Sequence, residues 1–317
     1  MRDQFLKRFD NQSTIKNYHK SFKKFDEYLA SKDINENVFF DELSKMEDFE
    51  KYNLLQGLIS FIRVGVSPRT TKQYFDNLFK YFLMQGVRLD YTQKRLRLQF
   101  PRIIERRLEG LDEKQIRNLI ELAPGNFGLY LRLLAGSGVR ESEGLQITPG
   151  MIMFEEFPVR IKLPGEITKF NIPRETFIPP GLAKDLKKLI EDNKKGIDDV
   201  LFTKRFGLDT LKYFEESFAK IRKKGGLETP NRARNQQNDI TLHSLRAYFI
   251  TVFTNEGLTD FGHALAGHSA SFSIYYRMSE EKRKSLYGSV MKHLDFHCSQ
   301  IEADSKTGSS DAVVDLH

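Results

Sequence analysis

At 317 residues the chain is longer than one hydrophobic core usually supports, so two domains are expected. A hydrophobic fraction of 39%, with 26 Phe, supplies enough apolar surface for packed cores and excludes a disordered chain. A net charge of +7 leans toward polyanionic partners, and the single cysteine, Cys298, excludes a disulfide framework and a multi-cysteine zinc site.

A reducing, cytoplasmic location is the matching expectation. No apolar run approaches ~18 residues, and the opening MRDQFLKRFD lacks the apolar centre of a signal peptide. No membrane partner is expected.

Residues 1–87 read as a helical bundle. Ile15, Tyr18, Phe22, Phe25 and Leu29 recur at steps of three and four, one face of a helix with Ser13-Thr14 near its start. Leu43 and Met46 suggest a short second helix, and Tyr52, Leu55, Leu58, Ile59 and Ile62 a third, ended by Gly65. Ser67-Pro68 then offers an N-cap with proline at the first helical position, followed by Tyr74, Leu78, Tyr81 and Phe82 on one face. These are four short amphipathic helices with nothing catalytic among them.

Residues 88–108 differ. Arg88, Lys94, Arg95, Arg97, Arg102, Arg106 and Arg107 face only Asp90 and Glu105, and Pro101 argues against one continuous helix. The stretch reads as a basic linker. A solvated strap without a partner would look the same, but Tyr91 and Phe100 between the charges favour a segment that tracks DNA.

A second domain is expected over 109–300. Leu111-Asp112-Glu113 with Ile116, Leu119 and Ile120 opens it as a helix, and Leu129 to Leu134 gives another, broken at Gly136-Ser137-Gly138. Val159, Ile161 and Leu163 alternate, as do Phe177 and its neighbours, with Pro164-Gly165 between them: a small antiparallel sheet. Helical patterns return from Leu182. The tail, 301–317, is rich in Ser, Gly and Asp and reads as disordered.

Four places in this domain carry phosphate-binding residue types. In GSGVRESEGL, Arg140 follows a glycine-broken loop and opens a helix, where free N–H groups and a guanidinium can hold an anion together. Glu143 lies on the same face and could orient it by an ion pair, although a surface capping pair has the same pattern. Lys169 sits at a turn between the expected strands, where a solvated loop lysine is the ordinary case. In LHSLRAYF, His243 and Arg246 share a helical face while Leu242, Leu245 and Phe249 serve the core; a half-buried histidine would also fit. In ALAGHSASFSIYYRMS, Gly267-His268 precedes Tyr275-Tyr276, a pair of which one ordinarily packs and one is solvated.

Taken in order, S-G-V-R-x-x-E, a hairpin lysine, H-x-L-R, and Gly-His followed shortly by Tyr, the second domain from Leu111 to Tyr276 resembles the tyrosine recombinases, or phage-type integrases. The resemblance implies a mainly α fold with a small β-sheet: an N-terminal four-helix, SAM-like core-binding domain and an α+β catalytic domain. It implies an archaeal or bacterial mobile-element or Xer-like enzyme that cleaves and rejoins DNA through a covalent 3′-phosphotyrosine. Carried over residue by residue, Arg140 and Arg246 are the catalytic arginines, Glu143 supports Arg140, and Lys169 is the hairpin lysine with Lys162 a competitor. His243 belongs to the H-x-x-R box, and His268 fills the second His-or-Trp position. Tyr276, one residue closer to His268 than the family spacing, is the nucleophile, with Tyr275 the alternative and Tyr287 assigned to the core.

Such a set suits phosphoryl transfer. Covalent catalysis keeps the bond energy of the cut strand. Fixed cations meet the charge that accumulates on phosphorus and take the part metal ions play in many nucleases, so no metal and no cofactor are expected. Implied partners are double-stranded DNA and three further copies of the chain in a tetramer on paired sites, with a monomer possible in free solution and no small-molecule substrate. The segment after Tyr276, including Leu286, Val290 and Leu294, is a candidate for exchange between protomers, with packing in cis the alternative. A type IB topoisomerase and a non-catalytic DNA-binding protein retaining the fold are the rival readings.

Overall fold

The structure is a computed structural model that describes residues 1–88, 90–103, 110–231, 237–268 and 277–296. It divides into two compact units, with the boundary between residues 107 and 108. Among the described residues no helix is long and apolar enough to cross a membrane.

The first unit contains α1 (Arg2–Leu6), α2 (Gln12–Ser31), α3 (Glu36–Lys45), α4 (Asp48–Ile62), α5 (Pro68–Met84) and α6 (Tyr91–Arg97). The expected faces of α2, α4 and α5 are its interior: Phe22, Phe25, Leu55, Ile62, Leu78 and Phe82 are all buried. The helix starts follow side-chain chemistry. Asn11 caps α2 by accepting from the Thr14 amide, two residues before the Ser13-Thr14 expected near its start, and Ser67 caps α5 by accepting from Thr70. Aromatic rings interlock in the core, Phe25 on Phe39 at 5.0 Å and Phe39 on Phe82 at 5.5 Å, near edge-to-face in the first pair.

The segment expected as a linker is built into this unit. Asp90 accepts from the amides of Thr92 and Gln93 and starts α6, a seven-residue helix too short to show a period and hidden by Pro101 beyond its end. Val87 and Leu98 are buried, and Phe100 packs edge-on against Phe75 at 5.5 Å. Lys94, expected at DNA, is buried instead, with its ammonium 2.5 Å from Asp76 and over the Phe79 ring at 4.2 Å. The helix turns Lys94 inward while Leu96 is exposed, and a buried ammonium needs a carboxylate. Arg88, Arg95, Arg97 and Arg102 are exposed. Arg106 and Arg107 lie outside the described residues.

The second unit begins with α7 (Glu113–Leu122), whose Asp112 cap and Gln115 exchange hydrogen bonds in a capping box. Next comes α8 (Phe127–Ser137), the central helix, every residue of which from Tyr130 to Ser137 is buried. It does not break at Gly136: the Ser137 hydroxyl donates to the Leu133 carbonyl at 2.6 Å, which satisfies it inside the helix, and the end comes at Gly138. The short helix α9 (Glu141–Gly144) follows. The antiparallel sheet runs β1 (Ile152–Met153), β2 (Val159–Leu163) and β3 (Arg174–Ile178), with Ile161 opposite Thr176. Then come α10 (Pro180–Asp192), α11 (Leu208–Lys224), the short pairing of β4 (Pro230–Asn231) with β5 (Gln237–Asn238), α12 (Leu242–Asn255), α13 (Thr259–Ala266) and α14 (Glu280–Val290).

The end of the described chain packs in cis. Val290 and Leu294 are buried in the unit's own core with Leu286 packed against it, the arrangement of the cis alternative. Tyr287 is fully buried as expected, its hydroxyl donating to the Gly136 carbonyl at 2.7 Å. The tail 301–317 lies outside the described residues.

Candidate active site

Three helix ends build the site. At the C-terminus of α8, Gly138 adopts a left-handed conformation (φ +65°), and a Cβ there would sit 2.4 Å from the Phe249 ring, so only glycine allows α8 to end against α12. Two residues later Arg140 caps α9. Its amide donates to Glu143 Oε2 at 2.8 Å and its Nη1 to Glu143 Oε1 at 2.7 Å, so one carboxylate fixes both the backbone and the guanidinium of Arg140.

The third end is the C-terminus of α13, where the last carbonyls lack helical partners and carry the negative pole of the helix. Arg140 Nη2 donates to the Gly267 carbonyl at 2.9 Å, and Arg174 Nη1 to the Leu265 carbonyl at 2.8 Å. Gly267 has φ +84°, and a Cβ would fall 2.5 Å from Arg174 Nε. Residues 140 and 267, far apart in sequence, are thereby held side by side, and His268 follows directly.

Arg174 was not singled out from the sequence. It is buried on β3, and its Nη2 donates to Glu143 Oε2, so that Glu143 lies between two guanidiniums. Burial alone would push Glu143 up, and Arg174 followed by Arg140 more than offsets it, holding the carboxyl below its usual range. The strand offered only a partial signal: residues 174, 176 and 178 are buried on one face, but Phe177 on the other is buried as well, and a buried arginine calls for a carboxylate.

Arg246 on α12 is 1% exposed, and its Nη1 donates to the Gly138 carbonyl at 2.5 Å. Among the described residues its Nε and Nη2 meet no acceptor. Burial first, then the charges of Arg140 and Arg174, pull this guanidinium down to about 9. The arginines of the first and third motifs therefore share one neighbourhood. His243, on the same helix, is exposed, with Nδ1 3.4 Å from Glu141 Oε1. Glu141 was also not anticipated. Burial raises its carboxyl, and the contact with His243, with Arg246 behind it, brings it below the usual range.

His268 Nδ1 lies 2.5 Å from His263 Nδ1, a partner sequence reasoning did not supply. One ring must present N–H and the other a lone pair, so both nitrogens cannot be protonated. Burial, then Arg246, His263, Arg140 and His243, lower His268 to about 4. It is neutral at pH 7. Because its folded value lies below the ordinary 6.5, the unfolded chain takes up a proton that the folded one refuses. Stability is full above about 6.5 and declines as pH falls toward about 4. Urea unfolding across that window should show His268→Asn with a flatter pH profile than the wild type; equal slopes would remove His268 as the source.

Lys169 is exposed at the turn between β2 and β3. Its neighbours Thr168 and Phe170 line a small cleft together with Ile172, Arg140, Arg174 and Gly267, so the turn reaches the arginine cluster. Lys162 is an exposed residue within β2, opposite Glu175. Tyr275 and Tyr276 lie outside the described residues.

A family model of the phage integrase family matches residues 109–282. No curated protein matches the sequence. Among solved structures the chain is similar to the XerH site-specific recombinase bound to its difH substrate in a pre-cleavage complex. That match has TM-score 0.57 and 17% identity, and covers 86% of this chain and 78% of that one. A lambda integrase (residues 75–356) dimer bound to a COC′ core site also matches, with TM-score 0.57 and 15% identity, over 88% and 97% of the two chains. The XerH post-cleavage complex on palindromic difH matches at TM-score 0.56 and 17% identity, over 88% and 80%.

Proposed function

The chain belongs to the phage integrase family and is a site-specific tyrosine recombinase, and from that premise we propose how its second unit cuts and rejoins DNA. One observation carries the reading: Arg140, Arg246 and His268, drawn from three separate motifs, meet at the ends of α8, α9 and α13 in one cationic neighbourhood.

In this reading Arg140 and Arg246 hold the non-bridging oxygens of the scissile phosphate, where negative charge grows as phosphorus becomes pentacoordinate. The Tyr276 phenol, with an ordinary pKa of ~10, attacks phosphorus and gives its proton to His243. The bond to the 5′ oxygen breaks, and Lys169 protonates the departing oxygen. Neutral His268 donates a further hydrogen bond to the phosphate. Glu143 and Arg174 touch no reacting atom and fix Arg140.

The partner is double-stranded DNA; the similar XerH complex holds its difH substrate and the similar lambda integrase dimer a COC′ core site. The exposed Arg88, Arg95, Arg97 and Arg102 of the first unit supply phosphate contacts, and two copies on each of two paired sites form the recombining tetramer.

The deciding experiment uses a nicked suicide substrate that traps the cleaved strand. Wild type is expected to give a protein–DNA band that survives denaturant, while Tyr276→Phe gives none and still shifts the same DNA in a native gel. Covalent trapping by Tyr276→Phe, with loss in Tyr275→Phe, would move the nucleophile to Tyr275.

A further inference from the structure

The tip of the β2–β3 turn holds an aromatic side chain that the assignments above leave unused. Phe170 is 53% exposed, its ring 5.8 Å from the Arg140 guanidinium carbon and 5.6 Å from Lys169 Nζ. A single exposed phenylalanine needs no explanation. One ring within cation–π range of two like charges does, because both cations are attracted to the negative face of the ring while they repel each other.

We propose that Phe170 is a positioning residue that gathers Lys169 beside Arg140 and so holds the cleavage acid at the phosphate clamp. The inference rests on Lys169 being the proton donor.

The backbone places the ring. The Thr168 hydroxyl lies 3.0 Å from the carbonyls of both Gly165 and Ile172, and the Thr168 amide donates to Gly165 at 3.0 Å. Asn171 takes a left-handed conformation (φ 54°), and its amide donates to the Thr168 carbonyl at 3.2 Å. A Cβ at Gly165 would come 2.8 Å from the Asn171 carbonyl oxygen, so the turn closes tightly beneath residues 169 and 170. Side chains at its tip are thus presented from a fixed base.

The choice of a ring has a chemical reason. Among the described residues no carboxylate is ion-paired with Lys169. A carboxylate there would favour the ammonium form and weaken it as an acid. An aromatic face also favours the ammonium, but more weakly and without a lone pair that could take the proton, so it positions Lys169 at a smaller cost to its acidity. In the step itself the phenol oxygen–phosphorus bond forms and the phosphorus–5′-oxygen bond breaks. The electron pair left on that oxygen takes the Lys169 proton to give the 5′-hydroxyl, while the phenolic proton passes to His243.

The test compares an ordinary phosphodiester with a 5′-bridging phosphorothiolate at the scissile position. A thiol, with a pKa near ~8.5, departs as its anion and needs no acid. Phe170→Leu should cut the ordinary strand about two- to fivefold more slowly in single turnover and the phosphorothiolate at the wild-type rate, and Phe170→Trp should restore the ordinary rate. Lys169→Ala is run beside them and should show the same rescue with a larger loss. If Phe170→Leu is slowed equally on both substrates, or on neither, the proposal falls while a rescued Lys169→Ala leaves the acid assignment standing. If Lys169→Ala itself is not rescued, the acid assignment fails and takes this inference with it.

Discussion

Glu143→Ala is expected to lower the unfolding free energy of the second unit by ~3–5 kcal/mol, the range for removing one partner of a buried ion pair. The Glu143 side chain is 1% exposed and serves the Arg140 amide, the Arg140 guanidinium and the Arg174 guanidinium at once. Its loss leaves two guanidiniums close together with no anion between them, one of them buried as deeply as the carboxylate was. Urea titration should show an earlier midpoint with an unchanged slope, and DNA cleavage should fall with it because Arg140 loses its orientation. A shift within ~1 kcal/mol, the scale of an exposed ion pair, would mean that the carboxylate does not hold these arginines in solution. The wild type carries the matching pH dependence. Since the folded Glu143 carboxyl is depressed, its contribution is complete above the ordinary carboxylate range and disappears as pH falls through the folded value.

Arg246→Met should behave in the opposite way. Strand cleavage is expected to drop by ~10²–10³, the loss that follows removal of one donor to a developing oxyanion, while stability stays level or rises by roughly 1 kcal/mol. The reason is that Arg246 is buried, lies near two like charges, and among the described residues donates only to the Gly138 carbonyl. A methionine of similar length fills the volume without the charge. Single-turnover cleavage and urea unfolding of the same preparation check both halves. If Arg246→Met destabilises as much as Glu143→Ala, the guanidinium is structural and the clamp assignment is wrong.

The contrast between these two residues also shows how far the sequence could be read. Arg140, Glu143, His243, Arg246 and His268 were legible because each sits in a short motif whose spacing survives without a structure. The Ser67-Pro68 cap and the alternation of Val159, Ile161 and Leu163 were legible for the same reason: the cause lies within a few residues of the effect. Arg174, Glu141 and His263 were not, since each is explained by a partner brought in by tertiary packing. Arg174 on β3 answers Glu143 on α9, and His263 answers His268 across a helix end. The misreadings had local causes of another kind. Pro101 concealed α6, and Gly136-Ser137 imitated a break that the Ser137 hydroxyl cancels from within.

The unmet Nε and Nη2 of Arg246 have a consequence for discrimination. Those N–H groups are buried and, among the described residues, meet no acceptor, so both remain free to donate to a phosphate oxygen. With Nη1 fixed on the Gly138 carbonyl, the guanidinium offers its other donors in a set orientation, with little reorganisation left for the reaction itself. Attraction of that sort is blind to base sequence. Choice of target must then be exercised elsewhere along the duplex, by the surfaces that decide which phosphate is delivered.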